Sequence, residues 1–278
     1  MISVLIALWF NLNILIMKTI KLAMLVVIAI GMTKCSSDVE NDIQQNTTIT
    51  QEDISPEILS KLQRMGFDTD KTSVASAKGG YIVDGDIFIT EETLKETNFQ
   101  KQAFYTIVDC NRAGNIRIQN ALGNNAAGRG FQRGIDLWNR VNRTTLRLIP
   151  VNNNPDILVR LSNPGEIGGW GLGEFPSNGV EGGLIILNLN EPSIDGDPVT
   201  AREWGNILAH EIGHNIGFLH AEQGFFGTQI PGTPNVDPNS IMTSGSNPNV
   251  VFNANDVSNF DKRAIRRMYS NRNNRLCN

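Results

Sequence analysis

Histidine is scarce in this chain: three occur in 278 residues, at 210, 214 and 220. Cysteine is as rare, with only Cys35, Cys110 and Cys277, which excludes a small scaffold stapled by many disulfides. Positive charge is not in excess either. The 24 Lys and Arg face 28 Asp and Glu, a net charge of −4, so no nucleic-acid partner is expected. The apolar run Leu22 to Met32 is only eleven residues long, too short to span a bilayer. No internal repeat is present. What is there is an ordinary globular composition, 40% hydrophobic, in a chain long enough for one main domain and a smaller segment.

Lys18 and Lys21 precede the apolar run, and Cys35-Ser36-Ser37-Asp38 follows it. Such a run suits the hydrophobic region of a signal peptide. A cysteine directly behind it looks like a bacterial lipoprotein signal, with Cys35 acylated and the protein anchored at the outer membrane or cell surface. Plain secretion is the alternative. Residues 1–16 are apolar without a basic start, which makes Met17 a candidate initiator. Residues 1–34 are thus expected to be the signal, and 35–54, rich in Asn, Gln, Thr and Asp, a flexible tether. Export permits a disulfide between Cys110 and Cys277, with two unpaired thiols as the alternative.

Beyond the tether, Ser55-Pro56-Glu57 opens a helical pattern with Ile58, Leu59, Leu62 and Met65 on one side and Gly66 at its end. Tyr81 to Thr90 alternates as a strand broken at Asp84-Gly85. The region 55–103 is too small for an independent domain to be expected. From 104 to 278 the rhythm is clearer. Asn115–Gln119 reads as a strand, and Phe131, Ile135, Trp138 and Val141 mark an amphipathic helix over 126–142. Further strands are expected at Leu146–Leu148, Ile157–Leu161 and Leu184–Leu189, the last covered on both faces. This order predicts an α+β fold, a mixed sheet with helices packed on it. Between Pro164 and Gly183 eight glycines crowd the chain, which fits an irregular edge strand, a binding loop or a plain surface loop.

Thr200-Ala201-Arg202-Glu203 is a capping box that starts a helix buried through Trp204, Leu208, Ile212 and Ile216. On it lies His210-Glu211-Ile212-Gly213-His214. Histidines at i and i+4 share one helical face and can reach one ion, while Glu211 stands one position round, near a water on that ion. Gly217 can end the helix in a left-handed turn and bring His220 back over the same ion. Three neutral imidazoles leave a fourth tetrahedral position open, the pattern of a catalytic zinc. All three histidines fall in one HExxHxxGxxH string. At roughly one histidine per hundred residues, chance places three so with odds of about one in a million.

The string 210–220, the Ser240-Ile241-Met242-Thr243 segment, and a closing helix carrying Val257, Phe260, Ala264 and Met268 on one face resemble the metzincin zinc metallopeptidases. His-Glu-Ile-Gly-His further resembles the bacterial dual-action HEIGH metallopeptidases. The resemblance covers 104–278. It implies a metzincin-like catalytic domain: a twisted mixed sheet, an active-site helix, a methionine turn at Met242 under the metal, and a C-terminal helix. It also implies a polypeptide substrate bound extended along an edge strand of the cleft, with 165–183 at the rim. Ala221 and Ser244 depart from several subfamilies, and Ser244 stands where some carry a metal-reaching tyrosine.

The expected function is therefore zinc-dependent endopeptidase action by a monomeric enzyme. Zinc would activate water and polarise the carbonyl, with Glu211 as general base. The alternative is a non-catalytic zinc-binding surface lipoprotein. A zinc site completed by a downstream glutamate is excluded, because no glutamate follows Glu222. Asp195, Asp197 and Asp237 match no calcium-loop spacing. Val83-Asp84-Gly85-Asp86-Ile87 resembles the Gly-Asp segment by which astacin pro-segments inhibit their enzymes. That makes 55–103 a candidate pro-segment and Asp86 a candidate latency ligand. A plain hairpin turn is the alternative, and Cys110 as a blocking thiolate is a third reading.

Overall fold

The computed structural model of the chain describes residues 54–95, 108–222, 229–245 and 247–270, all within the unit Thr48–Asn278. The expected signal, the tether, Cys35 and Cys277 lie outside the described residues. Helix α1 (Pro56–Arg64) begins where Ser55 Oγ accepts from Ile58 N, with Pro56 preset for the first turn. Gly66, at φ 101°, turns the chain out of it. Three short strands follow, β1 (Val74–Ala77), β2 (Gly80–Val83) and β3 (Ile87–Thr90), paired antiparallel, and then helix α2 (Glu91–Lys95). The break at Asp84-Gly85 is the β2–β3 turn. Strand β1 escaped the sequence reading because Val-Ala-Ser-Ala has little hydrophobic alternation.

The second part runs α3 (Cys110–Ala113), β4 (Ile116–Ala121), α4 (Ala126–Asn139), β5 (Leu148–Val151), β6 (Ile157–Leu161), β7 (Gly171–Glu174), β8 (Leu184–Leu187), α5 (Ala201–Asn215), α6 (Pro248–Asn253) and α7 (Asn259–Met268). All eight strands form one mixed sheet, in the order β1-β2-β3-β7-β8-β6-β4-β5. The class is α+β, as the sequence predicted. Helices α4 and α5 pack against each other so closely that a Cβ on Gly130 would lie 2.3 Å from the Ala201 carbonyl oxygen. Between them and the sheet lies the main core, with Trp138, Ile135, Leu208, Ile212 and Ile118 fully or nearly fully buried.

Region 54–95 is not a separate body. Strand β3 pairs parallel with β7, through Gly173 N to Asp86 O and Phe175 N to Phe88 O, both 2.9 Å. Its own small core, Leu62, Phe67, Val83, Ile87 and Ile89, closes on Phe175, with Leu219 packed against it. The glycine-rich segment therefore contains a strand flanked on both sides, rather than a sheet edge. Two expectations need correction. Leu146 is buried but precedes β5, whose first residue is Leu148. Phe260 is 37% exposed, because the buried stripe of α7 is Asp261, Ala264, Ile265 and Met268, one residue out of phase with it. Among the described residues, no helix is long and apolar enough to cross a membrane.

Candidate metal centre

The capping box predicted at Thr200 is formed. Thr200 Oγ1 accepts from Glu203 N at 3.3 Å and Glu203 Oε2 accepts from Thr200 N at 2.7 Å. Caps of this kind stabilise a helix by about 1 kcal/mol. The helix ends as Gly217 enters the left-handed region at φ 95°, with Gly217 N bonded to His214 O and Phe218 N to Gly213 O. That turn carries His220 back to His210 and His214. The three imidazoles and the carboxylate of Asp86 form one group whose candidate ligand atoms lie within 4.8 Å of one another.

Hydrogen bonds fix which ring nitrogen faces inward. His210 Nδ1 donates to Ile241 O at 2.7 Å, and His214 Nδ1 donates to Phe218 O at 2.8 Å. A carbonyl oxygen only accepts, so both rings carry their proton on Nδ1 and turn an Nε2 lone pair toward the centre. Yet His210 Nε2 lies 3.1 Å from His214 Nε2 and 3.2 Å from His220 Nε2. Asp86 oxygens lie 3.2–3.6 Å from the three Nε2 atoms. A tetrahedral zinc with bonds of about 2.0–2.1 Å sets its ligands about 3.3–3.4 Å apart. Buried Asp86 Oδ1 and Glu211 Oε2 have no hydrogen-bond partner in the protein. Converging lone pairs and orphaned carboxylate oxygens are what a divalent cation at the centre would satisfy. The donor set fits zinc.

The ionisation pattern follows from burial and from Asp86. Burial lowers His214 well below the usual histidine value, keeping it neutral. Burial works against charge on His220 too, but Asp86 and Asp84 outweigh it and lift that ring to about 10. Burial would raise Asp86, and the facing imidazoles, His220 foremost, hold it below the carboxylate range instead. Glu211 is pushed well up by burial and then by the charge of Asp86.

The floor beneath is built by a hydrogen-bonded tie. Asp261 accepts from Ser240 Oγ, Ile241 N and Ser258 N, which sets the Ile241 carbonyl under His210. Met242 packs against Gly213, where a Cβ would lie 2.2 Å from its Sδ. Ala221 N donates to Met242 O, and Glu222 accepts from Ser244 N, joining the third-ligand segment to this turn. Met242 stood out in the sequence; Asp261 did not, since a lone Asp in a helix start looks like ordinary capping. Asp237 is engaged by Ser258 Oγ and Asn239 N. Cys110 is not in the group of possible ligands and is disulfide-bonded.

Strand β7 lies directly on α5. A Cβ at Gly173 would come within 2.7 Å of the Glu211 backbone oxygen and 3.0 Å of His214 Cβ. Backbone cannot step aside as a flexible side chain can. Gly173→Ala is therefore expected to cost about 1–3 kcal/mol through overpacking. Calorimetry should show a lowered melting midpoint; an unchanged midpoint would mean the strand and helix can separate freely. Beside His210 and Glu211 opens a cavity of about 290 Å³, walled by Ile207, Trp170, Pro248, Val251 and Phe252. Trp170 meets Phe252 edge-on at 5.1 Å and donates from Nε1 to Pro192 O, which fixes that wall.

No protein-family profile and no curated protein matches the chain. Among solved structures it is similar to two of myroilysin. One has TM-score 0.37 and 17% identity over 55% of this chain and 91% of that one; the other has 0.39 and 14% over 70% and 93%. It is also similar to high choriolytic enzyme 1, a hatching enzyme zinc-protease of the medaka fish Oryzias latipes. There the TM-score is 0.34, with 18% identity over 54% of this chain and 86% of that one.

Proposed function

We propose that this chain is a zinc-dependent endopeptidase held latent by residues 55–103. The observation that carries the reading is the convergence of three Nε2 atoms and Asp86 at tetrahedral spacing beside an orphaned, buried Glu211 Oε2. His210, His214 and His220 hold the ion, and Met242 forms the floor. Zinc bound there supplies Lewis acidity and a water of lowered pKa. Glu211, next to the ligand histidines with a buried Oε2 that has no protein partner, would serve as the general base and pass the proton on to the leaving amine. In the latent form burial, and then the charge of Asp86, raise the Glu211 carboxyl, which disfavours the ionised base. Asp86 fills the fourth position. The motif His-Glu-Ile-Gly-His supports placing the chain with the HEIGH metallopeptidases among metzincins.

Strand β3 occupies the side of β7 that an extended substrate would use, through Gly173 N and Phe175 N. Release of residues 55–103 frees that edge, and the apolar cavity beside Glu211 then takes an apolar side chain next to the scissile bond. The enzyme acts as an exported monomer, at the cell surface if Cys35 is acylated. Metal analysis and proteolysis test the reading together. The purified chain should hold one zinc, and a chain starting near Tyr105 should cleave casein, lose activity to a chelator and regain it with zinc. One bound zinc with no cleavage of any protein or peptide would instead favour the non-catalytic zinc-binding lipoprotein.

A further inference from the structure

We propose that Asp84 is the outer carboxylate of this metal site, positioning His220 through Nδ1. The inference rests on the zinc reading above and extends it to a residue outside the ligand set. Asp84 and Asp86 flank Gly85 in the β2–β3 turn. Asp84 at φ 56° and Gly85 at φ 93° are both left-handed, and β2–β3 register pairs Val83 with Ile87, so only three residues form the loop. Aspartate is among the few non-glycine residues that tolerate this conformation. The turn sends both carboxylates to one imidazole: Asp84 Oδ2 accepts from His220 Nδ1 at 2.5 Å, while Asp86 Oδ2 faces Nε2 at 3.2 Å.

His210 and His214 differ in where their outer partner comes from. Theirs are backbone carbonyls of Ile241 and Phe218, which belong to the second part of the chain. The Nδ1 partner of His220 is a carboxylate from region 54–95, and the ring itself is fully buried. An outer hydrogen bond fixes tautomer and ring orientation and makes the inner nitrogen a stronger donor to metal, a carboxylate more so than a carbonyl. Region 54–95 therefore brings both a ligand and the support of a second ligand on one three-residue loop. Because coupling between two binding events is reciprocal, bound zinc tightens the docking of this region, and its docking tightens zinc. Its release removes Asp84 together with Asp86.

The test uses the full-length chain and competition for zinc against a chromogenic chelator. Asp84→Ala should weaken zinc binding about 10–100-fold, the range for outer-sphere partners of metal-bound histidine. Asp84→Asn keeps a side well suited to the left-handed turn and an acceptor oxygen without the charge, so it should fall between Ala and wild type. In the zinc-loaded wild type, the His220 Nδ1 proton should give a slowly exchanging, far-downfield NMR resonance that Asp84→Ala removes. Amide-exchange protection of Gly173 and Phe175 in the metal-free chain should persist in Asp84→Asn, showing that β3 still pairs with β7 and separating positioning from folding. Tight wild-type zinc binding, with Asp84→Ala within twofold of it and the resonance intact, would overturn this proposal alone. A wild-type chain that takes up no zinc would overturn the zinc reading and this one with it.

Discussion

Glu211→Gln, in a chain freed of residues 55–103, is expected to keep its zinc while peptide cleavage falls about 10²–10⁴-fold, the range for loss of a positioned general base. Glutamine matches glutamate in size and helix preference, so α5 and its histidines should be undisturbed. Glu211 is not one of the ligands, and its Oε2 has no protein partner to lose. The amide cannot take a proton from water. Gly171 bears on the outcome, since a Cβ there would sit 2.2 Å from Glu211 Oε1; that glycine leaves the carboxyl its room beside β7. Zinc content by metal analysis and turnover of casein or gelatin read the result. Unchanged turnover would move the proton transfer to another group.

Asp86→Ala should work in the opposite direction, raising the activity of the full-length chain on a short fluorogenic peptide. Losing a charge-assisted contact is worth about 1.5–3 kcal/mol, or about 10–100-fold in occupancy of the open position. The rise should be smaller than that produced by starting the chain near Tyr105. In the point variant β3 still pairs with β7 and its core still closes on Phe175 and Leu219. Removing the carboxylate also removes a charge that pushes Glu211 upward, which favours the ionised base. If neither change raises activity, region 55–103 does not impose latency through Asp86.

Some of this was legible along the chain. Two histidines four residues apart on a helix, a capping box before them and a glycine after them are local facts, dictated by 3.6-residue geometry and by glycine's access to positive φ. So His210, Glu211, His214, Gly217 and His220 could be assigned from spacing, and the structure brings the three imidazoles together. The strand over 81–90 with its break at Asp84-Gly85 was equally local. Phe260 was misplaced because a helix face is fixed only by what packs on it, and α7 buries Asp261 to tie down the Ser240–Met242 turn.

Tertiary structure alone decided the rest. Asp84 and Asp86 lie more than a hundred residues before the histidines, and nothing in Val-Asp-Gly-Asp-Ile by itself distinguishes a hairpin from a metal clamp. The parallel pairing of β3 with β7 sets that turn over the metal centre, a long-range choice made by main-chain hydrogen bonds and the small core around Phe175. For the glycines at 171 and 173 the sequence left an edge strand, a binding loop and a plain surface loop open. Their use became visible once α5 lay against β7, where there is no room for a Cβ beside Glu211 and His214. Local sequence set which side chains could bind a metal; the packing of distant strands set which carboxylates face them.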